Sequence, residues 1–466
     1  MIACDVAVLG AGPGGYVAAI RAAQRGAKTV VVECDQVGGV CLNRGCIPTK
    51  TLIHTAGLYQ KMQEAERFGL KVKGLSVDMD GLLKHKDNVI KTNRDGIKAL
   101  FKAHGIELIK ARGVVAKPGV VKAGKEEIHA RAIIVATGSA PARIPGLETD
   151  GERIIGSTEA LELAEVPKRV VVIGAGAVGA EFACIWNGLG AEVTLVEMMP
   201  SVLPIEDEEL TKRLGTLLKK RGINVFTGTT VKSMTRKGNT VALELSGAKE
   251  DSIKAEYVLV GIGVRYNSSP VTDEPSLGVQ VTPKGAIVVD SRMETNIPGI
   301  FAIGDVTGRT MLAHGASAEA IVAAENATGG NRIIDYRVVP SCTFTHPEVA
   351  SVGLTEKEAA ATGASIKVGR FSYRASGRAH AMGETEGLVK IVGDAATGEV
   401  LGVHILGAEA GELIAAAAMA MQLEATAETI ADTIFTHPTL SETIKEAAED
   451  FLGIGIHTPP KAVKRG

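Results

Sequence analysis

Two cysteines, Cys41 and Cys46, are separated by four residues in the run GGVCLNRGCIPTK. A close pair of thiols can exchange a disulfide with a substrate or can bind a metal. Because no second cysteine pair and no histidine at zinc-finger spacing accompanies them, we favour redox chemistry and expect no metal. The run fits one or two helical turns, so a bridge between its cysteines would be strained and readily exchanged.

A glycine-rich turn lies upstream of the cysteines. The apolar run 5–9 leads into GAGPGG at residues 10–15, a helical pattern follows, and a second apolar run ends at Glu33. Glycines in such a strand–turn–helix unit allow a tight turn and let the backbone approach a pyrophosphate at the helix N-terminus. An acid at the second strand end is placed to bond ribose hydroxyls. The unit predicts a bound dinucleotide beside the thiols.

The same unit occurs a second time. The apolar run 170–173 leads into GAGAVG at residues 174–179, and a later apolar run ends at Glu197. In both copies the acid stands 23 residues after the first glycine. One glycine motif is weak evidence, but two in the same full context are strong. Because a carboxylate repels a 2′-phosphate, Glu197 predicts NAD rather than NADP at the second site.

The composition excludes several classes of protein. The 51 basic and 53 acidic side chains of the 466 residues nearly cancel, so neither nucleic acid nor an anionic membrane surface is an expected partner. The longest apolar stretch, residues 413–423, is too short to cross a bilayer. The N-terminus lacks a signal-peptide pattern, and six scattered cysteines do not form a secreted framework. We expect a cytoplasmic globular protein.

The remaining chain predicts three domains. An apolar strand between the glycine units ends in Ala136-Thr-Gly-Ser139, and another after the second unit ends in Ala302-Ile-Gly-Asp305. From Asp335 onward, short β-rich runs at 350–354, 388–392 and 400–405 precede alanine-rich helices. We therefore predict an α/β protein with two Rossmann-like dinucleotide-binding domains and a C-terminal α+β domain. The expected boundaries are 1–147 with 271–337 for the first domain, 148–270 for the second and 338–466 for the third.

These features resemble the two-dinucleotide-binding flavoprotein disulfide reductases over nearly the whole chain. Besides the glycine units and the cysteine run, the resemblance rests on Ala136-Thr-Gly138, Ala302-Ile-Gly-Asp305, Met311-Leu-Ala-His314, Phe344-Thr-His-Pro-Glu-Val-Ala-Ser-Val-Gly353 and Phe435-Thr-His437-Pro-Thr-Leu-Ser-Glu442. The family usually has a Gly-Arg-Arg-Pro-Asn-like run where this chain has Gly263-Val-Arg-Tyr-Asn267. That departure should alter the loop leaving the second domain and its local NAD contacts.

The resemblance implies tightly bound FAD in the first domain and NAD⁺/NADH in the second. Residues implied at FAD are Gly10, Gly12, Gly14, Gly15, Glu33, Lys50, Gly113, Thr137, Gly138, Ser139, Asp305, Met311, Leu312, Ala313 and His314. Residues implied at NAD are Gly174, Gly176, Gly179, Glu181, Glu197, Val231 and Gly263. Lys50 and Glu181 are implied to form an ion pair beside the reactive edge of the flavin.

The chemistry implied by the resemblance is oxidation of protein-bound dihydrolipoamide to lipoamide through a Cys41–Cys46 disulfide. Cys41 is expected to exchange with the substrate thiols, while Cys46 faces the flavin. His437 is the expected base, since Glu442 lies within loop reach to orient its imidazole. In the family this histidine serves the other subunit, so a homodimer is implied. A lipoyl-bearing acyltransferase or a glycine-cleavage carrier protein is the expected partner.

Several alternative functions are also compatible with parts of the sequence. A glutathione-reductase-like disulfide reductase would be expected to carry arginines near Glu197, where Glu206, Asp207, Glu208 and Glu209 follow instead. The C-terminal run IHTPPKAVKRG has no paired cysteines, which disfavours mercuric reductase and the large thioredoxin reductases. An NADH oxidase of diaphorase type would need a single redox cysteine. A flavin-binding scaffold subunit without turnover is the alternative from outside the enzymes. His346-Pro347 is interpreted as a structural turn.

Overall fold

The computed structural model describes residues 1–459. Its first unit is built around a sheet in the order β3-β2-β1-β6-β5-β4, in which β3, β2, β1 and β6 run parallel. The elements are β1 (Ile2–Leu9), α1 (Pro13–Gln24), β2 (Thr29–Glu33), α2 (Gly39–Arg44), α3 (Cys46–Gln63), a 3₁₀ turn (Ala65–Phe68), α4 (Met79–Ala103), β3 (Glu107–Lys110), β4 (Gly113–Lys117), β5 (Val120–Ala123), β6 (Glu126–Val135) and β7 (Ser139–Pro141).

The second unit repeats this parallel arrangement, in the order β11-β10-β9-β15-β8, and adds an antiparallel sheet β12-β13-β14. Its elements are β8 (Ile154–Ile155), α5 (Ser157–Ala160), β9 (Arg169–Ile173), α6 (Ala177–Gly188), β10 (Glu192–Val196), α7 (Glu208–Lys220), β11 (Asn224–Phe226), β12 (Thr229–Lys237), β13 (Thr240–Gly247), β14 (Asp251–Ala255), β15 (Tyr257–Val260) and β16 (Val264–Tyr266).

The chain then returns to the first sheet, where a short strand pairs parallel with β6. The returning elements are α8 (Ser269–Thr272), a 3₁₀ turn (Pro275–Leu277), β17 (Ile300–Ala302), a second 3₁₀ turn (Gly304–Thr307) and α9 (Ala313–Ala327). The strands of both parallel sheets carry mainly buried valine, isoleucine, leucine and alanine, as expected for strands that are covered on both faces.

The third unit is an antiparallel sheet in the order β18-β19-β22-β21-β20, with helices packed against it. Its elements are β18 (Ser341–Thr343), β19 (Glu348–Gly353), α10 (Glu356–Ala361), β20 (Ile366–Ser372), a 3₁₀ turn (Tyr373–Ala375), α11 (Gly377–Met382), β21 (Leu388–Asp394), β22 (Val400–Gly407), α12 (Ala410–Gln422), α13 (Ala427–Asp432) and α14 (Glu442–Leu452). The apolar stretch 413–423 thus lies mostly in α12. Across the described residues, no helix is long and apolar enough to cross a membrane.

The predicted fold class is confirmed, since two parallel dinucleotide-type sheets and a third antiparallel domain follow one another. We propose the division of the chain stated above, because β17 joins the first sheet after the second unit has closed. The two connections between these units lie side by side: β7 and β16 form a two-stranded antiparallel ribbon, with Pro141 opposite Val264 and Ser139 opposite Tyr266.

A buried ion pair joins the second and third units. Lys390 of β21 places its ammonium 2.8 Å from each carboxylate oxygen of Asp207, the residue that caps α7. Both side chains are only 2 % exposed. Glu356 lies 2.6 Å from the same ammonium. The pair is therefore held by several charges in a place that excludes water.

Candidate active site

The backbone around the first glycine turn leaves no space for side chains at two of its glycines. Gly10 has a φ of +99°, and a Cβ there would lie 2.3 Å from the Ala136 carbonyl oxygen. A Cβ on Gly15 would lie 2.0 Å from the Gly10 carbonyl oxygen. The helix α1 begins directly after Gly12. The first backbone N–H groups and the positive dipole end of such a helix can hold a pyrophosphate.

The second turn has the same geometry. Gly174 has a φ of +96°, and its Cβ would meet the Gly261 carbonyl oxygen at 2.4 Å. A Cβ on Gly179 would lie 1.8 Å from the Gly174 carbonyl oxygen. At Gly176, which precedes α6, a Cβ would meet no described atom within 4 Å. That open side of the turn gives a ligand access to the helix N-terminus.

Glu33 and Glu197 close the two turns. Glu33 is 8 % exposed and accepts hydrogen bonds from the N–H of Ala11 at 2.7 Å and of Asp35 at 2.7 Å. Each carboxylate has about four acceptor positions. Both Glu33 and Glu197 thus keep acceptor capacity, and their bonds to ribose hydroxyls stay predictions.

The other residues implied at FAD lie around the carboxyl ends of the first sheet. Ser139 donates to Asp305 at 2.6 Å, and the Thr137 hydroxyl donates to the Asn267 carbonyl oxygen at 2.7 Å. Gly113 begins β4, where a Cβ would touch Leu9 and Val32 at the ends of β1 and β2. These contacts hold the strand ends of the first sheet close to one another.

The run Met311–His314 leads into helix α9. Met311 has a φ of +53°, a conformation rare for a side chain larger than glycine. His314 lies with Nε2 2.6 Å from the Pro340 carbonyl oxygen. Helix α9 packs on α1 closely enough that a Cβ on Gly14 would lie 3.4 Å from Ala316. This segment is therefore fixed beside the first glycine turn.

The two cysteines lie on two short helices that are separated by Gly45. Cys41 belongs to α2, and Cys46 is the first residue of α3. Both are free thiols, and Cys41 donates a hydrogen bond to Cys46. This bond, with burial, raises the pKa of Cys41. The same bond and the Lys50 charge lower the pKa of Cys46 to about 7, against the effect of burial.

Lys50 and Glu181 form the ion pair that the family resemblance implied. The Lys50 ammonium lies 2.8 Å from each oxygen of the Glu181 carboxylate. Glu181 is 4 % exposed and also accepts the N–H of Phe344 at 3.0 Å. Lys50 is four residues after Cys46 on α3, so both lie on one helix face. Residues from all three units meet at this carboxylate.

His437 and Glu442 form a second pair at the surface of the subunit. His437 Nδ1 lies 2.9 Å from Glu442 Oε1, and Glu442 Oε2 accepts the Thr439 N–H at 2.7 Å. Partial burial opposes ionisation of Glu442, but the Thr439 and His437 contacts outweigh it and lower the pKa of the carboxyl group. An ionised carboxylate orients the ring with Nε2 outward. The His437 side chain is 81 % exposed.

Some predicted site residues are not brought together within one subunit. In the part of the chain that the structure describes, no hydrogen bond or ion pair joins His437 to Cys41 or Cys46. Val231 packs against the core of the second unit. Gly263 accepts the Ala142 N–H at 3.0 Å where the ribbon begins. The ligand contacts of Val231 and Gly263 stay predictions.

The unusual run Gly263–Asn267 keeps a defined structure. Its strand β16 pairs with β7, and Asn267 donates from its side chain to the Thr137 carbonyl oxygen at 3.1 Å. A Cβ on Gly308 would lie 3.0 Å from the Tyr266 ring. Tyr266 therefore packs against the first unit at the position where the family usually has a proline.

Two contacts at the site were missed from the sequence. Phe344 lies in the run Phe344–Gly353 that carries the family resemblance, and Asn267 ends the run Gly263–Asn267 that departs from the family. The sequence assigns neither residue a role. Phe344 places its ring centroid 4.7 Å from the Lys50 ammonium, besides donating to Glu181. No local pattern signals either contact, because the partners are far apart in the chain.

The comparisons with known proteins agree with this geometry. Residues 4–320 match the family model of pyridine nucleotide-disulphide oxidoreductases, and residues 339–448 match the dimerisation domain of the same family. The chain therefore belongs to the pyridine nucleotide-disulphide oxidoreductase family, as the sequence resemblance implied. Since residues 339–448 are the dimerisation domain, the protein is a homodimer.

Curated relatives within this class carry the name dihydrolipoyl dehydrogenase. The protein of that name from Thermus scotoductus is 45 % identical over 457 residues, which cover 97 % of this chain and 98 % of the relative. The one from Bacillus subtilis is 40 % identical over 470 residues, covering 97 % and 99 %. Among solved structures, LpdA from Mycobacterium tuberculosis has a TM-score of 0.88 at 30 % identity, covering 96 % of this chain and 99 % of that one.

A second structure widens the range of chemistry on this fold. The HOCl-induced flavoprotein disulfide reductase RclA from Escherichia coli has a TM-score of 0.85 at 28 % identity, with 96 % of this chain and 99 % of that chain covered. The fold alone therefore does not select the substrate, and the residues at the thiols and at the second glycine turn carry that information.

Proposed function

We propose that this enzyme oxidises protein-bound dihydrolipoamide to lipoamide and reduces NAD⁺ to NADH. The observation that carries the proposal is the thiol pair of Cys41 on α2 and Cys46 at the start of α3, with the ion pair of Lys50 and Glu181 beside it. The full-length similarity to dihydrolipoyl dehydrogenases supports the same substrate. In sum, dihydrolipoamide and NAD⁺ become lipoamide, NADH and one proton.

The two glycine turns fit the two cofactors. At each turn a pyrophosphate would meet the start of a helix, and the carboxylate of Glu33 or Glu197 would accept from the ribose. Gly10–Gly15, Glu33, Ser139 and Asp305 would hold FAD, and Gly174–Gly179 with Glu197 would hold NAD. When bound, the flavin accepts two electrons from the thiol pair and supplies them to the nicotinamide ring.

Cys41 and Cys46 have different roles in the disulfide exchange with the substrate. A substrate thiolate attacks Cys41 of the disulfide, which forms a mixed disulfide and releases Cys46 as a thiolate. The second substrate thiolate then attacks the substrate sulfur bound to Cys41, which closes the lipoamide ring and frees Cys41. Cys46 is the better leaving group because its pKa is lowered to about 7.

His437 is the proposed base for the substrate thiols. Its Nδ1 faces Glu442, which leaves Nε2 free to take a thiol proton. Because His437 is 81 % exposed, we propose that it acts on Cys41 and the substrate of the partner subunit. Each active site would then need both subunits.

The second site is proposed to select NAD. Glu197 is 6 % exposed, and its carboxylate already accepts two backbone N–H groups. A 2′-phosphate beside it would face an uncompensated negative charge in a buried place. Arg213, on α7, pairs with Glu209 at 3.0 Å and is not free for a phosphate. This opposes a glutathione-type reductase that uses NADPH.

The partner is proposed to be a lipoyl-bearing acyltransferase or a glycine-cleavage carrier protein, because the substrate lipoyl group is protein-bound. We place the enzyme in the cytoplasm. Six scattered cysteines in a chain of 466 residues are not the pattern of a secreted disulfide framework, which supports this placement.

One assay tests the proposal. The purified protein is mixed with dihydrolipoamide, and NAD⁺ or NADP⁺ is added in parallel runs. We expect NADH formation with NAD⁺ and little reaction with NADP⁺. Runs in reverse with lipoamide and with oxidised glutathione should show reduction of lipoamide alone. Flavin binding without any turnover would support the scaffold alternative instead.

A further inference from the structure

The Glu181 carboxylate is a junction of three parts of the chain. It binds Lys50 from the first unit with both oxygens, and it accepts the N–H of Phe344 from the third unit. Phe344 follows β18 directly. The carboxylate of the ion pair beside the thiols therefore also accepts a hydrogen bond from the C-terminal domain.

Phe344 touches both members of the ion pair. Its backbone N–H reaches Glu181 at 3.0 Å, and its ring centroid lies 4.7 Å from the Lys50 ammonium. A cation this close to an aromatic face is attracted by the ring quadrupole. A third of the Lys50 side chain is exposed to solvent. The contact with the Glu181 carboxylate therefore does not by itself fix the position of the ammonium. The ring restricts it on the side that faces the third unit.

The Phe344 ring also lies close to the start of helix α12. A Cβ on Gly411, at the start of α12, would lie 3.3 Å from Phe344 Cε1 and 3.0 Å from the sulfur of Cys342. Gly411 in turn donates its N–H to Glu348 at 2.8 Å. Phe344 is thus a rigid contact between α12 and Lys50.

The location of the Lys50 charge affects the thiols. The titratable groups that act on Cys46 are Cys41 from α2, Lys50 from its own helix and Glu181 from α6. Lys50 lowers the pKa of Cys46, and Glu181 raises it. Movement of the ammonium away from the sulfur would leave the repulsion of Glu181 less compensated.

We propose that Phe344 is a positioning residue, whose ring and backbone N–H hold Lys50 and Glu181 in the arrangement that stabilises the Cys46 thiolate. This inference rests on the proposed function, since it assigns the electrostatic environment of the same thiol. It gives the C-terminal domain a part in the redox centre separate from that of His437.

The test uses holoenzyme reduced with NADH, in which a thiolate next to the flavin gives long-wavelength absorbance. The pH dependence of this absorbance is measured for the wild type, Phe344→Leu and Phe344→Tyr. Loss of a contact of cation–π strength predicts a rise of about half a pH unit in the apparent pKa of Cys46 for Phe344→Leu. Phe344→Tyr, which keeps an aromatic face, should restore the wild-type midpoint.

A matched control is Phe68→Leu. Phe68 has Arg67 4.7 Å from its ring centroid, but belongs to a different segment, so its loss should leave the midpoint unchanged. Gly411→Ala is a second probe, because its Cβ would crowd both the Cys342 sulfur at 3.0 Å and the Phe344 ring at 3.3 Å while the ring is kept, and it should move the midpoint upward by a smaller amount. It also decides the question if Phe344→Leu fails to fold.

The outcomes separate the two proposals. A wild type without lipoamide turnover and without long-wavelength absorbance would refute the proposed function. A wild type with both, but with equal midpoints in Phe344→Leu, Gly411→Ala and Phe68→Leu, would refute the role of Phe344 alone.

Discussion

Glu33 and Glu197 make the same two hydrogen bonds in the two halves of the molecule. Each carboxylate accepts the N–H of the residue after the first glycine of its turn, Ala11 at 2.7 Å and Ala175 at 2.6 Å. Each also accepts an N–H two residues further along its own chain, from Asp35 and from Met199, at 2.7 Å. The duplication thus extends from the sequence motif to individual bonds, and it leaves equivalent acceptor positions for two riboses.

Replacement of Glu197 tests the second site. We expect Glu197→Ala to raise the KM for NAD⁺ about tenfold or more, because hydrogen bonds to a charged group contribute about 1.5–3 kcal/mol. Steady-state kinetics with NAD⁺ and NADP⁺ measures this change. Glu192→Ala, an exposed carboxylate on the same strand, is the control and should leave KM unchanged. A wild type that prefers NADP⁺ would contradict the assignment.

The thiol pair predicts a pH dependence. Because the pKa of Cys46 is lowered to about 7, the Cys46 thiolate should form as the pH rises through about 7 and disappear below it. Cys41→Ala removes the donated hydrogen bond, so the midpoint of the long-wavelength absorbance should move to higher pH. Cys34→Ala, an exposed cysteine outside the pair, should not move it. Persistence of the absorbance in Cys46→Ser would show that another group is responsible.

His437 is expected to matter for the thiol reaction alone. His437→Gln should lower kcat with dihydrolipoamide by about 10²–10⁴-fold, the usual loss when a general base is removed. NADH-dependent reduction of a soluble artificial acceptor, which needs no base at the thiols, should stay near the wild-type rate. His129→Gln breaks another histidine–carboxylate contact, to Glu127 at 2.7 Å, and serves as the matched control. Equal loss in both assays would argue for a structural role of His437.

Mixed dimers test whether the base serves the other subunit. His437→Gln subunits have thiols without a base, and Cys46→Ser subunits have a base without the thiol pair. Random mixing of equal amounts should restore about a quarter of wild-type activity, because half of the dimers carry one complete site. If His437 served its own subunit, co-expression would restore nothing.

The buried pair Lys390 and Asp207 predicts a large effect on stability. Lys390→Met leaves Asp207 as an uncompensated buried charge, and the free energy of unfolding should fall by about 3–5 kcal/mol. Denaturant unfolding of the holoenzyme measures it. The neighbouring Glu208 pairs with Lys357 at the surface, where both side chains are at least 80 % exposed, so Glu208→Gln should cause no measurable change. Similar stability of the two variants would contradict the interpretation.

The local parts of the site were predictable from the sequence. Gly10 and Gly174 need positive φ and leave no room for a side chain, and this requirement is visible in the chain itself. The apolar runs at 350–354, 388–392 and 400–405 became β19, β21 and β22, since a buried strand needs such residues. The ion pair of Lys50 with Glu181 came from the family resemblance and was then found in the structure.

Contacts between distant segments could not be predicted in this way. Neither Phe344 nor Lys390 stands in a pattern that names its partner, because the partner is set by how three units pack. The break at Gly45 between the cysteine helices was also not visible, since the run fits continuous helical turns. Burial and packing of whole domains decide these features.

The ribbon formed by β7 and β16 determines how the second unit is connected to the first. The chain leaves the first unit through β7 and passes through the neighbouring strand β16 before β17 rejoins the first sheet, so the second unit lies between two paired strands. The segment that carries the second glycine turn therefore also supplies Glu181, the counter-ion of Lys50, and its two connections to the first unit are held side by side in one ribbon.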